Sequence, residues 1–414
     1  MNIKQSLTRS ARSIVELLRS YKAKNYLRQQ STTHITKDSE IRIAFLAGEP
    51  ETWDKSEPVF EALCQNSRFH VDLYIVPSYD DALQIPKEYG YEWEYFNEKY
   101  PEFCHTIFDK DEIIDLNASN YDYLFYGDPY MGHFPRQLRA YNLIKNNRIC
   151  YIPYGFYGAK FGYDLMAENR SFFCNTYLVF CDCQDVKDIL ESLFPDTTAN
   201  GLQRFVNLGY PTLEKFLRPE FRVCNYRNIL WAPRWSYSEM GGGSHFMEYK
   251  DLIFNVKEIS GNYHLILRPH PMTFANVVGS GLMSETEVQD YKQHIIDVGA
   301  ELNQHTDINE TIKRTDIFIT DYSSLMIHYF MTGKPVIYCP SKDPFDKTYT
   351  KMLEGIYIAK SWDNIEQYLT DLSNGNDWLK EKRMEILKSD EFTIHAHATE
   401  RIIDFLINDM ESDH

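Results

Sequence analysis

Three short stretches in the second half of the chain combine reactive side chains with backbone that would hold them still. In LILRPHP (265–271) an apolar run ends in Arg268, and two prolines keep His270 out of a helix. An imidazole fixed beside a guanidinium can donate to a phosphate oxygen or protonate a leaving group. The same residues would also serve as a polar turn whose His caps a neighbouring helix. In DIFITDYSSLMIHYFMTGKP (316–335) an apolar run ends at Thr320, and Asp321-Tyr322-Ser323-Ser324 leads into an amphipathic stretch that Gly333-Lys334-Pro335 closes. Hydroxyls and unpaired backbone N–H groups at such a helix start suit a diphosphate, although Asp and Ser are also ordinary N-caps. HTDINE (305–310) places Asp307 three residues before Glu310, a capping-box-like spacing that a structural role explains well. Gly241-Gly242-Gly243-Ser244 lacks the spacing of a phosphate-binding loop and reads as a surface loop.

The first half offers a base rather than an anion site. After the apolar run YDYLFYG comes DPYMGH, with Asp128 and His133. An imidazole needs no large shift to accept a proton near neutrality, and a nearby carboxylate can orient it. A solvent-facing loop histidine is the competing view. Tyr154, in YIPYG, ends another apolar run, but a phenol with a reference pKa near 10 is a poor base.

These residues sit where short apolar runs give way to helix-length amphipathic ones. In the first half, strands are expected at 41–47, 70–76, 121–127, 149–153, 177–181 and 205–208. The aromatic and acidic stretch 79–111 reads as a long excursion between them. A second series follows: strands at 228–232, 263–268, 316–320 and 335–339, with helices at 246–259, 285–298, 309–314 and 323–332. Such alternation implies parallel sheets with helices on both faces. The expected architecture is α/β: two Rossmann-like domains over 38–215 and 225–390 facing a central cleft, with a helix at 391–414. In sheets of this kind, ligands bind beyond the carboxyl ends of the strands.

Composition excludes several classes. Of 414 residues, 43% are hydrophobic, and the net charge of −17 argues against a general nucleic-acid binder. Apolar runs are only strand-sized, too short to cross a bilayer as helices. Eight cysteines without regular spacing form neither a disulfide framework nor a zinc site, which points to a reducing compartment. Residues 1–30 stand apart. Lys4, Arg9, Arg12, Arg19, Lys22, Lys24 and Arg28 against Glu16 alone give a balance of +6, leaving −23 on the rest. Leu7, Ala11, Ile14, Leu18 and Tyr21 form one helical stripe within this segment. It is read either as a helix on an anionic membrane surface or as one that packs on the body or another subunit.

APRW at 232–235, RPHP at 268–271, DINE at 307–310 and TDYSS…GKPVIY at 320–338 together resemble the CDP-glycerol glycerophosphotransferase (teichoic acid polymerase-like) family, over roughly residues 225–345. The resemblance implies a GT-B-like fold with the nucleotide donor on the C-terminal domain and no metal or other cofactor. It implies transfer of a polyol phosphate, glycerol phosphate first, from a CDP-activated donor to a hydroxyl of a lipid-linked or glycan acceptor, with release of CMP. His270, Asp321, Ser323 and Ser324 would hold the donor diphosphate, with Arg234, Arg268, Asp307 and Asn309 nearby. Three positions depart from the family pattern: Arg234 replaces a Thr, His328 replaces an Asp, and Tyr154 stands where a Trp-His-Gly element carries the base. His133 supported by Asp128 is therefore the expected base, with Tyr154 positioning the acceptor. A nucleotide-sugar glycosyltransferase of capsule or cell-wall synthesis on the same scaffold is the alternative. A nucleotide-binding regulator without catalysis carries less weight. The expected location is cytoplasmic, at the inner membrane face if the N-terminal helix engages lipid; self-association is compatible with the same helix.

Overall fold

The computed structural model describes the chain outside residues 1–17, 33–38, 81–84, 87, 111, 157–159, 219–220, 222–226, 238–242, 260–262, 304–307, 322, 341–349 and 412–414. The chain divides into two units. Residues up to Thr212 together with those from His397 onward form the first, and Leu213–Ala396 the second.

The first unit is built on seven strands: β1 Ile41–Ala47, β2 Phe69–Ile75, β3 Cys104–Thr106, β4 Tyr123–Tyr126, β5 Arg148–Tyr151, β6 Leu178–Phe180 and β7 Arg204–Val206. They pair in parallel in the order β7-β6-β5-β4-β1-β2-β3. The run IRIAFLA of β1 is apolar almost throughout because helices cover both faces of a central parallel strand. Strand β3 lies inside the stretch read from sequence as an excursion. Its three residues, Cys-His-Thr, are half-buried to exposed at a sheet edge, so no apolar periodicity announces them.

The C-terminal helix Ala398–Glu411 belongs to this first unit rather than standing alone. Its Asp409 carboxylate is fully buried and accepts hydrogen bonds from the Tyr123 and Arg204 side chains and from the Tyr177 hydroxyl at 2.9 Å. Asp409→Ala would remove the acceptor shared by three buried or half-buried donors. Deleting one partner of a buried ion pair costs about 3–5 kcal/mol. Urea unfolding of the variant should show a loss of that order, and a loss below about 1 kcal/mol, the worth of a surface pair, would dismiss the clasp.

At the other end, residues 18–30 are helical. Ala23, Leu27 and Gln30 are buried, while Leu18 and Tyr21, the described members of the expected stripe, are 57% and 68% exposed. The packed face is thus not the predicted one. Gln30 fixes it: its side chain donates to the carbonyls of Ile144 and Asn147, and its own carbonyl accepts from Arg148 at 2.8 Å. Among the described residues, no helix is long and apolar enough to cross a membrane.

The second unit carries β8 Asn228–Ala232, β9 His264–Leu267, β10 Glu301–Leu302, β11 Ile317–Thr320, β12 Val336–Tyr338 and β13 Tyr357–Ile358. All pair in parallel, in the order β10-β9-β8-β11-β12-β13. The expected helix over 246–259 is two pieces, Phe246–Tyr249 and a 3-10 turn Leu252–Lys257. Ile253 and Val256, three apart, are both fully buried, the spacing that 3-10 winding brings onto one line. Gly333 ends the helix Leu325–Met331 with a φ of 76°, where a side chain would be strained. The next residue, Lys334, is buried. Its ammonium donates to the carbonyls of Ile312, Lys313 and Thr315 at 2.7, 3.1 and 2.6 Å, capping the end of helix Ile308–Arg314. The lysine of the GKP motif therefore does structural work.

Candidate active site

In the second unit, sheet order reverses between β8 and β11, whose last residues Ala232 and Thr320 are register partners. The Thr320 hydroxyl donates to the Ala232 carbonyl at 2.7 Å and binds the two strand ends together. Immediately beyond, Asp321 is 1% exposed, and one carboxylate oxygen, Oδ2, accepts three hydrogen bonds, each 3.1 Å long. The donors are the Arg234 N–H, the Ser244 hydroxyl and the His245 N–H. Burial pushes this carboxyl up, and the donors pull it the other way. Asp321 thus ties together the loops that carry Arg234 and Ser244.

Arg268 follows β9, where its N–H donates to the Trp231 carbonyl at 2.9 Å. Its guanidinium donates to Oδ1 of the buried Asn303 at 2.5 Å, which fixes the side chain. His270 stands on the next turn, and its Nδ1 accepts the Met272 N–H at 3.1 Å. That bond places the proton of the neutral ring on Nε2, leaving an N–H donor facing outward. Partial desolvation and then the charge of Arg234 hold the imidazole below its ordinary pKa, so the ring is neutral near pH 7.

Trp235 lies 5.7 Å from His270, centroid to centroid, at 35°. With Ser236, Tyr237, Asn276, Ser280 and Leu282 it lines a pocket of about 450 Å³. The residue is 40% exposed, and Asn276 donates to its carbonyl at 3.3 Å. Sequence reasoning passed over Trp235 as part of a motif. Its place directly after a strand end was the available signal.

The remaining donor-side candidates are less concentrated. The Ser323 hydroxyl accepts the Leu325 N–H at 3.2 Å, and Ser324 is exposed at the entrance of the helix Leu325–Met331. Asn309 is half-buried in the first turn of helix Ile308–Arg314. Asp307 lies outside the described residues. His328 is 2% exposed, with Nδ1 3.0 Å from the Ser324 carbonyl and its ring edge-on to Phe216, a packing position.

In the first unit, the sequence candidates do come together. Asp128 follows β4, and its Oδ1 accepts the Tyr130 N–H at 2.7 Å, which turns the chain. Its Oδ2 lies 3.0 Å from Nδ1 of His133. This hydrogen bond raises the His133 pKa, against an opposing desolvation, and the Asp128 and Glu49 charges add to the rise. The proton sits on Nδ1, so the Nε2 lone pair of this half-exposed ring faces out. Tyr154 and Tyr130 share a 2.7 Å hydroxyl–hydroxyl hydrogen bond, and burial pushes the Tyr154 phenol far up, keeping it protonated.

Two parallel-sheet units with their polar groups at strand ends define a GT-B-like α/β protein of two Rossmann-like units. Solved structures share this fold. They include UDP-GlcNAc 2-epimerase from Neisseria meningitidis bound to UDP-GlcNAc (TM-score 0.59, 12% identity, 89% of this chain and 100% of that one). The wall teichoic acid polymerase TagF soaked with CDPG is another (TM-score 0.52, 16% identity, 97% and 98%). The sequence match is narrower than the fold: residues 222–373 match the model of CDP-Glycerol:Poly(glycerophosphate) glycerophosphotransferase, so this part of the chain is similar to that family. A teichoic acid poly(glycerol phosphate) polymerase of Staphylococcus epidermidis is 30% identical over 171 residues, which is 38% of this chain. The match spans only 22% of that relative's length.

Proposed function

We propose that this chain transfers glycerol phosphate from CDP-glycerol to a hydroxyl of a teichoic-acid-like or surface-glycan acceptor. The observation that carries the proposal is that the family match, over 222–373, falls on the strand ends that carry Arg234, Arg268 and His270. The acceptor oxygen bonds to the β-phosphorus, the bond from that phosphorus to the bridging oxygen breaks, and CMP leaves with the oxygen. Such chemistry rests on positioning and on neutralising phosphoryl charge. The Nε2–H of His270, with the guanidinium groups of Arg234 and Arg268, supplies donors to the diphosphate; Ser323 and Ser324 add hydroxyls, and Asn309 and Asp307 complete the surroundings. Trp235 offers a ring face for the cytosine. His133, oriented by Asp128, takes the acceptor proton, and Tyr154 positions the acceptor.

The test is CMP release from CDP-glycerol, CDP-ribitol and CMP- or UDP-sugars, each with and without acceptor. Acceptor-dependent CMP release from CDP-glycerol is expected. Turnover confined to a nucleotide sugar would replace the proposal with glycosyl transfer, and binding without turnover of any donor would leave a regulator.

The basic N-terminal segment is proposed to bring the enzyme to anionic membrane. Supporting this are its +6 balance and the exposed Leu18 and Tyr21. Full-length protein should sediment with anionic vesicles at low salt, and a variant lacking residues 1–22, which keeps the buried Ala23, Leu27 and Gln30, should not, while retaining its CDP affinity. A full-length protein that ignores such vesicles would make the segment a packing helix alone.

A further inference from the structure

The sheet order of the first unit also reverses once, between β1 and β4, and the place just beyond their carboxyl ends is where open α/β sheets bind ligands. A narrow pocket opens there, with room for little more than one water-sized group. Its backbone lining leaves little room for a side chain. A Cβ at Gly48 would come within 2.9 Å of the Val76 carbonyl oxygen, and one at Gly127 within 3.1 Å of that of Leu46. Its polar lining is Ser56, Glu49, Asp128 and Thr52, the last with its hydroxyl already donating to the Glu49 carbonyl at 3.0 Å. Ser56 is only 6% exposed, and its hydroxyl makes no hydrogen bond among the described residues. Glu49 is exposed at the pocket mouth, and its carboxylate has no hydrogen-bond or ion-pair partner among them. Asp128 is already engaged by Tyr130 and His133.

These groups select a ligand by chemistry. Two carboxylates accept hydrogen bonds and repel anions, so a phosphate is excluded. The Ser56 hydroxyl can donate or accept. A ligand that donates to Glu49 while exchanging a bond with Ser56, and that fits a water-sized space, is a single hydroxyl group, whether of water or of a small polyol. We infer that this pocket takes the neutral hydroxymethyl end of the acceptor polyol, with Glu49 and Ser56 as its ligands, beside the His133–Asp128 pair. Burial and the neighbouring Asp128 charge also push the Glu49 carboxyl up, against a smaller opposing pull from the His133 charge. The inference rests on the proposed transfer for the identity of the ligand, and on the pocket alone for its class.

Two measurements on the full chain separate these. Saturation-transfer NMR with free glycerol, glycerol 3-phosphate and ethylammonium as probes tests the class without any turnover. Glycerol should receive saturation from the wild type, and the signal should fall at least threefold in both Glu49→Gln and Ser56→Ala. Loss of neither signal, or preferential binding of ethylammonium or glycerol 3-phosphate, would overturn the assignment. Steady-state transfer tests the role: acceptor KM should rise about tenfold or more in each variant with CDP affinity unchanged, the signature of a binding contact remote from the donor. An unchanged acceptor KM in both variants overturns the role. Wild-type protein that saturates glycerol but never releases CMP overturns the transfer reaction and leaves the polyol pocket standing. Because Glu49 lies at the pocket rim, its variant folds even if Ser56→Ala does not.

Discussion

His270→Ala is expected to lower transfer at least tenfold and to weaken CDP binding by a similar factor. The reason lies in the bond from Met272 N–H to Nδ1, which leaves Nε2–H as the outward donor. A hydrogen bond from such a donor to an ionised phosphate oxygen belongs to the class worth about 1.5–3 kcal/mol, and about 1.4 kcal/mol is already tenfold. The pH dependence follows with a definite sign. In the empty site, desolvation and the Arg234 charge hold the imidazole below its ordinary value of about 6.5. A bound diphosphate reverses the local charge and raises the pKa. CDP binding should therefore take up protons on the acid side of about pH 6.5, and affinity should strengthen as pH falls through that range. Calorimetry in buffers of different ionisation heat reads the uptake directly. Equal CDP affinity in wild type and His270→Ala, or an uptake unchanged by the substitution, would remove His270 from the donor site.

Strand ends were legible in the sequence to within a few residues because a buried parallel strand is a continuous apolar run. NILWA over 228–232 is seen in full as β8, and LILRPHP turns where its prolines require. What could not be read was the direction of each polar group. Asp321 and Ser323 have the same sequence neighbourhood, yet one is a buried carboxylate with three donors on it and the other a half-buried hydroxyl that accepts the Leu325 N–H at a helix entrance. Lys334 was legible only as part of a helix stop, but its ammonium also closes a helix end 19–22 residues earlier in the chain. Such long-range acceptors leave no local pattern. The N-terminal segment shows the same limit in another form. Its stripe is periodic, but the buried face runs through Ala23, Leu27 and Gln30, set by a glutamine whose acceptors lie more than a hundred residues away. Glu49 and Ser56 were missed because neither stands in a motif; only the adjacency of β1 and β4 brings them to Asp128.

The two histidines show how hydrogen bonds outside the chemistry divide its labour. Met272 gives His270 a proton on Nε2, a donor; Asp128 gives His133 a proton on Nδ1 and an outward lone pair, an acceptor. His133→Ala should therefore cut transfer by the ~10²–10⁴ that a general base contributes, while CDP affinity stays as in the wild type. The base works only as neutral imidazole, and the bond to Asp128 raises its pKa above the ordinary value. Transfer should accordingly rise with pH through a midpoint above about 6.5 and level off beyond it. In Asp128→Asn the carboxylate that raises the pKa is gone, so the midpoint should move down toward the ordinary value. The plateau should fall as well, because an amide can offer its oxygen or its N–H to Nδ1 and no longer fixes the tautomer. A variant that merely lost packing would lower the plateau without moving the midpoint, so the two parameters separate positioning from damage. Tyr154→Phe should leave the midpoint in place, since burial keeps that phenol protonated throughout the range. Near-wild-type transfer by His133→Ala would pass the proton to Asp128, Glu49 or the donor phosphate itself.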